Sequence, residues 1–245
     1  MPCSHCKTGG HTQVELLLKL KHRNVVQLYG VWRCKDAQSG TTRLYMVMEL
    51  CKGGSLQSRI RQGSVPIAEK LRWARDVADG ICYLHSRDPP VLHRDIKPAN
   101  VVLTHMEGQA KLVDFGLSKC ASSSAGPATA LVGTVAYMAP ELMSSEPGGH
   151  DRAVDVYSFA VLLCALWTEA EPYKGMFTKQ ILVSVTLHNK RPSLTLKVNT
   201  DQVSPLHSSM CALIEEMWQT EPGARPTAPE VSRRLHTIEE AKDTD

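Results

Sequence analysis

Three short runs of the 245-residue chain concentrate residue types that can do chemistry. They are HRDIKPAN at residues 93–100, DFG at 114–116 and APE at 139–141. Carboxylate and amide oxygens are ligands that a hard cation prefers, and a lysine ammonium is a compact positive charge that can neutralise an anionic group. The spacing is 19 positions from Asp95 to Asp114 and 27 from Asp114 to Glu141, and three such runs in this order are too specific for chance.

Together the three runs resemble the signature set of eukaryotic protein kinases. The strings PPVLHRDIKPAN, DFGLSK and GTVAYMAPE are most similar to serine/threonine kinases of the tyrosine-kinase-like group, and the resemblance extends from Thr12 to Ile238. It implies a domain that transfers the γ-phosphate of ATP, with Mg²⁺ as cofactor, to Ser or Thr hydroxyls of a protein substrate.

The resemblance assigns a role to individual residues of these runs. Enzymes of phosphoryl transfer act by positioning and by charge compensation. Asp95 would accept the proton of the substrate hydroxyl, and Lys97 would neutralise the moving phosphoryl group. Asn100, the third member of this catalytic set, and Asp114 would bind Mg²⁺ through oxygen. A simple turn aspartate is the alternative for Asp114, and the neighbouring motifs disfavour it.

Residues 44–51 resemble the linker that receives adenine in this family. The resemblance assigns four residues to nucleotide binding: Met48, Glu49, Cys51 and Val102. An ordinary edge strand is the alternative, but Gly53, Gly54 and Ser55 follow and introduce a helix, as in the family pattern. A reactive thiol at Cys51 would need a lowered pKa, which the sequence does not show.

Other matches to the family concern support rather than chemistry. One set resembles the spine that joins the two lobes, although the same residues would be buried in any core: His93, Phe115, Leu17, Leu28 and Asp155. Glu141 and Arg225 match an ion pair that ties the substrate-docking loop to the rear helices. Breaking a buried pair of this kind costs about 3–5 kcal/mol.

The irregular residues 118–137 resemble an activation segment. An upstream kinase could act between Ser118 and Thr134, and a phosphate there could pair with Arg94. The candidate hydroxyls are Ser122, Ser123, Ser124 and Thr129, for which plain solvated residues are the alternative. Thr134 itself resembles the family position that contacts Asp95 and substrate.

Apolar periodicity and turn residues predict the elements that would position these motifs. A capping box at Thr12 and Glu15 predicts a first helix. Strands are predicted at residues 25–32, 44–48, 101–103 and 111–113, the first two as an antiparallel hairpin. Further helices are predicted at 66–85, 152–168, 178–188, 208–218 and 228–238. The fold class is α+β and kinase-like, with a remnant N-lobe of helix plus hairpin and a complete, mostly helical C-lobe.

This interpretation divides the chain into a flexible N-terminus (1–11), a partial N-lobe (12–50), a C-lobe (51–240) and a tail (241–245). Before the first predicted helix there is neither a GxGxxG loop nor a strand lysine, since Lys7 is too close to that helix. Gln13 occupies the position of the helix glutamate. Glu15, two positions on, points about 200° away. Two explanations stay open: a longer gene product, which the intact motifs favour, or a pseudokinase that acts as a binding scaffold.

Composition excludes several other classes. The net charge of +3 gives no argument for nucleic acid, and the longest apolar run, residues 159–167, is far shorter than the roughly 20 residues that span a bilayer. The start of the chain carries no secretion signal, and eight scattered cysteines indicate free thiols in a reducing, cytoplasmic location. A zinc site is a weak alternative to a flexible terminus for four front residues: Cys3, His5, Cys6 and His11.

Overall fold

The structure is a computed structural model, which describes residues 18–35, 40–104, 108–114, 134–143, 151–195 and 205–242. Within these ranges the strands are β1 (Leu28–Lys35), β2 (Thr42–Met48), β3 (Val101–Leu103) and β4 (Ala110–Leu112). The helices are α1 (Leu56–Gln62), α2 (Ile67–His85), α3 (Pro140–Met143), α4 (Ala153–Thr168), α5 (Thr178–Thr186), α6 (Pro205–Met217) and α7 (Ala228–Lys242). The predicted α+β class is confirmed, with a small sheet in front and helices behind.

The front of the molecule is the antiparallel hairpin β1–β2, as predicted, but its first strand begins later than expected. Residues 25–27 were expected to open β1, and instead they lie beside the rear sheet. The Val26 N–H donates to the Leu112 carbonyl, and the Leu112 N–H donates to the Asn24 carbonyl, both at 2.9 Å. Strand-forming residues pair with whichever backbone edge the tertiary structure offers, so sequence alone placed this segment wrongly.

The hairpin exposes an unusual amount of apolar surface. Its exposed large side chains are Tyr29, Trp32, Tyr45, Met46, Val47 and Met48. Successive residues of a strand point to opposite faces, so the exposure of the four consecutive residues 45–48 means that both faces are open within the described part of the chain. The rings of Trp32 and Tyr45, which are cross-strand partners, lie 5.5 Å apart.

The hairpin is joined to the rear lobe at a second place, directly after the linker. The Gly53 N–H donates to the Leu103 carbonyl, and the Leu103 N–H donates to the Gly54 carbonyl, both at 2.8 Å. A Cβ atom at Gly53 would lie 2.5 Å from the Leu103 oxygen, so only glycine allows this approach. Ser55 then caps α1, because its Oγ accepts the Ser58 N–H at 3.2 Å.

The rear lobe is a helical core. The apolar face of α2 is buried through Leu71, Ala74, Ala78, Ile81 and Leu84, which confirms the helix predicted at residues 66–85. Nearly every side chain of α4 is buried, as expected for a helix that is apolar all round. The three later helices are confirmed with shifted ends, and α3, a single turn, was not predicted.

Some predictions concern residues outside the described ranges. These are the first helix up to residue 17, the zinc alternative at Cys3, His5, Cys6 and His11, and the spine members Leu17 and Phe115. The five described cysteines, Cys34, Cys51, Cys82, Cys164 and Cys211, are free thiols as predicted. Among the helices of the described ranges, none is both long and apolar enough to cross a membrane.

Candidate active site

The carboxylate of Asp95 is the centre of a compact cluster on the loop before β3. Lys97 Nζ donates to its two oxygens at 2.9 and 2.7 Å and to Thr134 Oγ1 at 2.9 Å. Asn100 Nδ2 donates to Asp95 Oδ2 at 2.7 Å and to the Asp95 carbonyl at 2.8 Å. Thr134, expected next to Asp95, thus reaches it through Lys97. About a quarter of the Asp95 side chain is open to solvent.

The local sequence explains this arrangement. Pro98–Asn100 forms one 3-10 turn, in which the Asn100 N–H donates to the Lys97 carbonyl at 2.9 Å. Proline suits the first position of such a turn because its φ is fixed and no N–H is lost. Ile96 and Pro98 are buried and anchor the loop, so Lys97 and Asn100 both return towards Asp95.

Asp114 lies next to this cluster at the end of β4. The Val113 N–H donates to the Asn100 carbonyl at 3.0 Å, and successive Cα atoms are about 3.8 Å apart, so the Asp114 backbone is one residue from that contact. Its side chain is exposed, and its φ of +59° is left-handed. Such backbone is uncommon outside glycine and concentrates at functional sites. The structure therefore brings Lys97 and Asn100 onto Asp95, and it places the backbone of Asp114 one residue from a contact with Asn100.

Asp155, on the first turn of α4, supports the loop from below. It is fully buried, and its carboxylate accepts the His93 N–H at 2.9 Å and the Arg94 N–H at 2.7 Å. His85 Nε2 lies 2.9 Å from the same carboxylate. Burial alone would raise the pKa of Asp155, but the hydrogen bond and charge of His85, with smaller contributions from His93 and Arg94, hold it below 3.8. Asp155, which the sequence analysis assigned to the spine together with His93, is thus a buried hydrogen-bonding hub that contacts His93 directly.

His93 is held as a neutral imidazole. Its Nδ1 accepts the Asp95 N–H at 3.3 Å, so that nitrogen carries no proton. Burial lowers the pKa of His93 below 6.5, in agreement with this assignment. Arg94, the next residue, has a left-handed φ of +64°, which turns the chain so that Asp95 faces outwards. The spine member Leu28 is buried as expected.

The predicted ion pair between Glu141 and Arg225 is confirmed. The guanidinium contacts both carboxylate oxygens, with Nη1–Oε1 at 2.6 Å and Nη2–Oε2 at 2.8 Å. Arg225 also donates to three backbone carbonyls, those of Ala153, Gln219 and Thr220. Paired forks of this kind are the strong form of ion pair. The contact fixes α3, and with it the residues that follow Thr134, to the rear helices.

The linker after β2 is shaped by Glu49. Its N–H donates to the Gln27 carbonyl at 2.9 Å, and its carboxylate pairs with Lys111 Nζ at 2.6 Å. Within the described residues, neither the Glu49 carbonyl nor the Cys51 N–H has a hydrogen-bond partner. Partly buried backbone groups normally find partners, so this edge of the linker can receive a ligand with donor and acceptor atoms.

The other proposed nucleotide residues lie around this edge. Met48 ends β2 and is 40% exposed, and Val102 is half-buried on β3 opposite Ser55. Burial raises the pKa of the Cys51 thiol, and the nearby Glu49 carboxylate adds to the rise. Cys51 is therefore not an activated thiol.

Two residues of the site were missed by the sequence analysis, namely His85 and Lys111. His85 is the last residue of α2, eight residues before the HRD run, and its position in YLH was a signal that could have been followed. Lys111 alternates with buried Ala110 and Leu112, which marked an outward-facing residue but not its partner. The candidate phosphorylation sites Ser122, Ser123, Ser124 and Thr129 lie outside the described residues.

Residues 6–236 match the family model of the protein kinase domain. The probable serine/threonine-protein kinase drkC of Dictyostelium discoideum is 32% identical over 234 residues, which cover 92% of this chain and 28% of that protein. A mitogen-activated protein kinase kinase kinase of Drosophila melanogaster is 33% identical over 240 residues, covering 95% and 19%. The serine/threonine-protein kinase STY17 of Arabidopsis thaliana is 31% identical over 228 residues, covering 92% and 36%. The chain thus spans between about a fifth and about a third of these relatives.

Proposed function

Since the chain belongs to the protein kinase family, we propose that it carries the catalytic site of a serine/threonine kinase of the tyrosine-kinase-like group. The substrates would be ATP and a Ser or Thr hydroxyl of a protein. The observation that carries this proposal is the Asp95 carboxylate, which Lys97 and Asn100 hold at an open site beside Asp114.

The chain's own residues divide the work. Asp95 can accept a hydrogen bond from a hydroxyl and align it, since its carboxylate is fixed by two neighbours and still partly open. Lys97 places a positive charge 2.7 Å from that carboxylate, where it can compensate negative charge on a phosphoryl group. Thr134 holds the lysine from the other side.

The donor set next to Asp95 fits a magnesium ion. The amide nitrogen of Asn100 is used by Asp95, so its amide oxygen is left for a cation, and Asp114 offers an exposed carboxylate. Magnesium prefers oxygen ligands of both kinds. When bound, Mg²⁺ neutralises charge on phosphate oxygens. The adenine part of ATP would lie on the linker, at the Glu49 carbonyl and the Cys51 N–H, between Met48 and Val102.

The division into an N-lobe part at residues 12–50 and a C-lobe at 51–240, with short ends at 1–11 and 241–245, belongs to the same proposal. It is supported by residues 49–54, in which the end of the linker leads from the hairpin into the helical lobe. We also propose a cytoplasmic location, because the described cysteines are free thiols.

Binding of Mg-ATP is the direct test. A ligand at 100 times its dissociation constant stabilises a protein by about 2.7 kcal/mol, so saturating Mg-ATP is expected to raise the melting temperature by several degrees. Differential scanning fluorimetry with ATP, with and without Mg²⁺, measures it. Asp114→Asn should remove the magnesium-dependent part of the shift.

Asp88→Asn, at an exposed aspartate on the loop after α2, is the matched control and should behave like the wild type. If no nucleotide changes the melting temperature with or without Mg²⁺, the catalytic proposal fails and the scaffold alternative is preferred.

We further propose regulation by an upstream kinase that phosphorylates a hydroxyl between Ser118 and Thr134. A phosphate there adds charge that Arg94 can pair with. Phosphopeptide mapping of the protein isolated from cells is expected to find at least one modified residue in this interval. An unmodified interval with full peptide coverage, alongside modified peptides elsewhere, would contradict this regulation.

A further inference from the structure

A cavity of about 550 Å³ lies away from the proposed nucleotide and metal residues, between the end of α2, the start of α4 and the start of α7. Its wall includes Cys82, His85, Arg87, Arg152, Val156 and Pro226. Small-molecule sites typically occupy about 300–1,000 Å³ and combine an apolar lining with a few polar groups. The cavity has the size and the mixed lining of such a site.

The electrostatics of the cavity favour an anion. Helices α4 and α7, of 16 and 15 residues, begin at its wall, and helix starts carry partial positive charge. Helix α2 ends there, and three of its last four carbonyls are already satisfied: Cys82 by Ser86, Tyr83 by Arg87, and Leu84 by Val91.

The lining side chains add to this positive charge. The guanidinium of Arg152 has no ion pair or hydrogen bond to any described residue. Arg87 Nε donates to the Tyr83 carbonyl near the end of α2 and Nη2 to Ser86 Oγ, and its guanidinium lies 4.2 Å from the centre of the Tyr83 ring, so no described carboxylate neutralises it. Asp151 is the acid of the described wall, and it accepts the backbone N–H of Arg152. Arg225 also lines the cavity, but its charge is matched by Glu141.

His85 provides a second, independent sign of a ligand. Its side chain is 95% buried and forms part of the cavity wall. Its Nε2 lies 2.9 Å from the Asp155 carboxylate, which only accepts, so Nε2 carries a proton. Nδ1 has no hydrogen-bond partner in the part of the chain that the structure describes. Nδ1 is therefore the polar atom of this side chain that remains for a ligand in the cavity.

We propose that this cavity binds a small organic anion that has an apolar body and a hydroxyl group. The anionic group would lie against Arg152 and Arg87, and the hydroxyl, which can donate or accept, would form a hydrogen bond with His85 Nδ1. Val156 and Pro226 would contact the apolar body.

Such a ligand would act on the catalytic loop through His85. A hydrogen bond at Nδ1 changes the strength of the Nε2–H as a donor to Asp155, since hydrogen bonds in a chain polarise one another. Asp155 Oδ2 is the same oxygen that accepts the His93 N–H, and Oδ1 accepts the Arg94 N–H. Occupancy of the cavity is therefore coupled to the two backbone amides that precede Asp95.

The test uses 4-hydroxybenzoate as probe and two-dimensional ¹⁵N–¹H NMR of the chain, without nucleotide, so that its outcome is independent of kinase activity. Saturable shifts of the His93 and Arg94 amide signals are expected. Benzoate, which lacks the hydroxyl, should bind about fivefold or more weakly, the equivalent of about 1 kcal/mol. 4-Hydroxybenzyl alcohol, which lacks the charge, should also bind more weakly.

Arg152→Gln should weaken 4-hydroxybenzoate binding about tenfold, because a hydrogen-bonded charge on the ligand loses its partner. Arg152 is exposed, so the variant is expected to fold, which its NMR spectrum verifies. Arg233→Gln, at an exposed arginine of α7 away from the cavity, is the matched control and should bind as the wild type does. The proposal is overturned if the probe causes no saturable shift at about 10 mM, if benzoate binds equally well, or if Arg152→Gln has no effect.

Discussion

Replacing Asp155 with asparagine is expected to lower the free energy of unfolding by about 3–5 kcal/mol, the range seen when one partner of a buried ionic network is removed. The carboxylate satisfies the backbone N–H groups of His93 and Arg94 and the ring of His85, all of them donors. An amide of the same shape replaces one acceptor oxygen by a donor, so at least one of these contacts becomes repulsive. Urea unfolding followed by circular dichroism at about pH 7 measures the change.

Asp88→Asn, an exposed aspartate of the same charge, should change the free energy by no more than about 0.5 kcal/mol. The effect of Asp155 must also depend on pH. Because the pKa of the folded state is below 3.8, its stabilisation is complete above that value and is lost as the pH falls through the folded-state pKa. The difference in the free energy of unfolding between wild type and Asp155→Asn should therefore decrease only at acid pH. If Asp155→Asn lowers the free energy of unfolding by less than about 1 kcal/mol near neutral pH, Asp155 is not the hub of this hydrogen-bond network.

Phosphoryl transfer by this chain on its own is expected to stay below the detection limit of a kinase assay. The sequence before the first predicted helix contains no GxGxxG run and no strand lysine, and each missing preorganised donor costs about 10²–10³ in rate. What is left, chiefly Asp95 with the metal ligands, can contribute about 10²–10⁴. Transfer of radiolabelled γ-phosphate to a generic serine peptide, with Mg²⁺ present, measures the rate.

Asp95→Ala is the reference variant for that assay, and wild type and variant should be hard to distinguish. Clear phosphorylation by the wild type that Asp95→Ala abolishes would show that the missing donors are dispensable. It would then also be direct evidence for the assigned role of Asp95.

Contacts and buried faces that follow directly from residue identity could be predicted from the sequence. Glu141 and Arg225 are far apart in the chain, yet their motifs predicted an ion pair, which the structure contains in bidentate form. The buried stripe of α2 and the all-apolar α4 were readable because helical periodicity reports directly which faces are buried. The cluster around Asp95 followed from the HRDIKPAN string as a whole, although its ligand roles remain proposals.

The remaining features depend on tertiary structure. Residues 25–27 look like the start of a strand, and only the position of β4 decides that they pair there. The left-handed backbone of Arg94 and Asp114 could not be predicted, because in a sequence only glycine indicates that conformation clearly. Asp155 lies in an apolar helix, so the sequence predicted that it is buried. The sequence did not show that three donors from distant segments converge on its carboxylate.

The two backbone attachments of the hairpin among the described residues, at Val26 and at Gly53, also set how the front of the molecule can move, while the Glu49–Lys111 ion pair joins side chains that can follow the motion. A rigid body that is held at two points has one free motion, a hinge rotation about the axis through those points. We therefore expect the cleft above Asp95 to open and close along a single coordinate, with sliding and twisting of the hairpin suppressed. A nucleotide that enters the cleft would therefore contact a hairpin that moves by this one rotation.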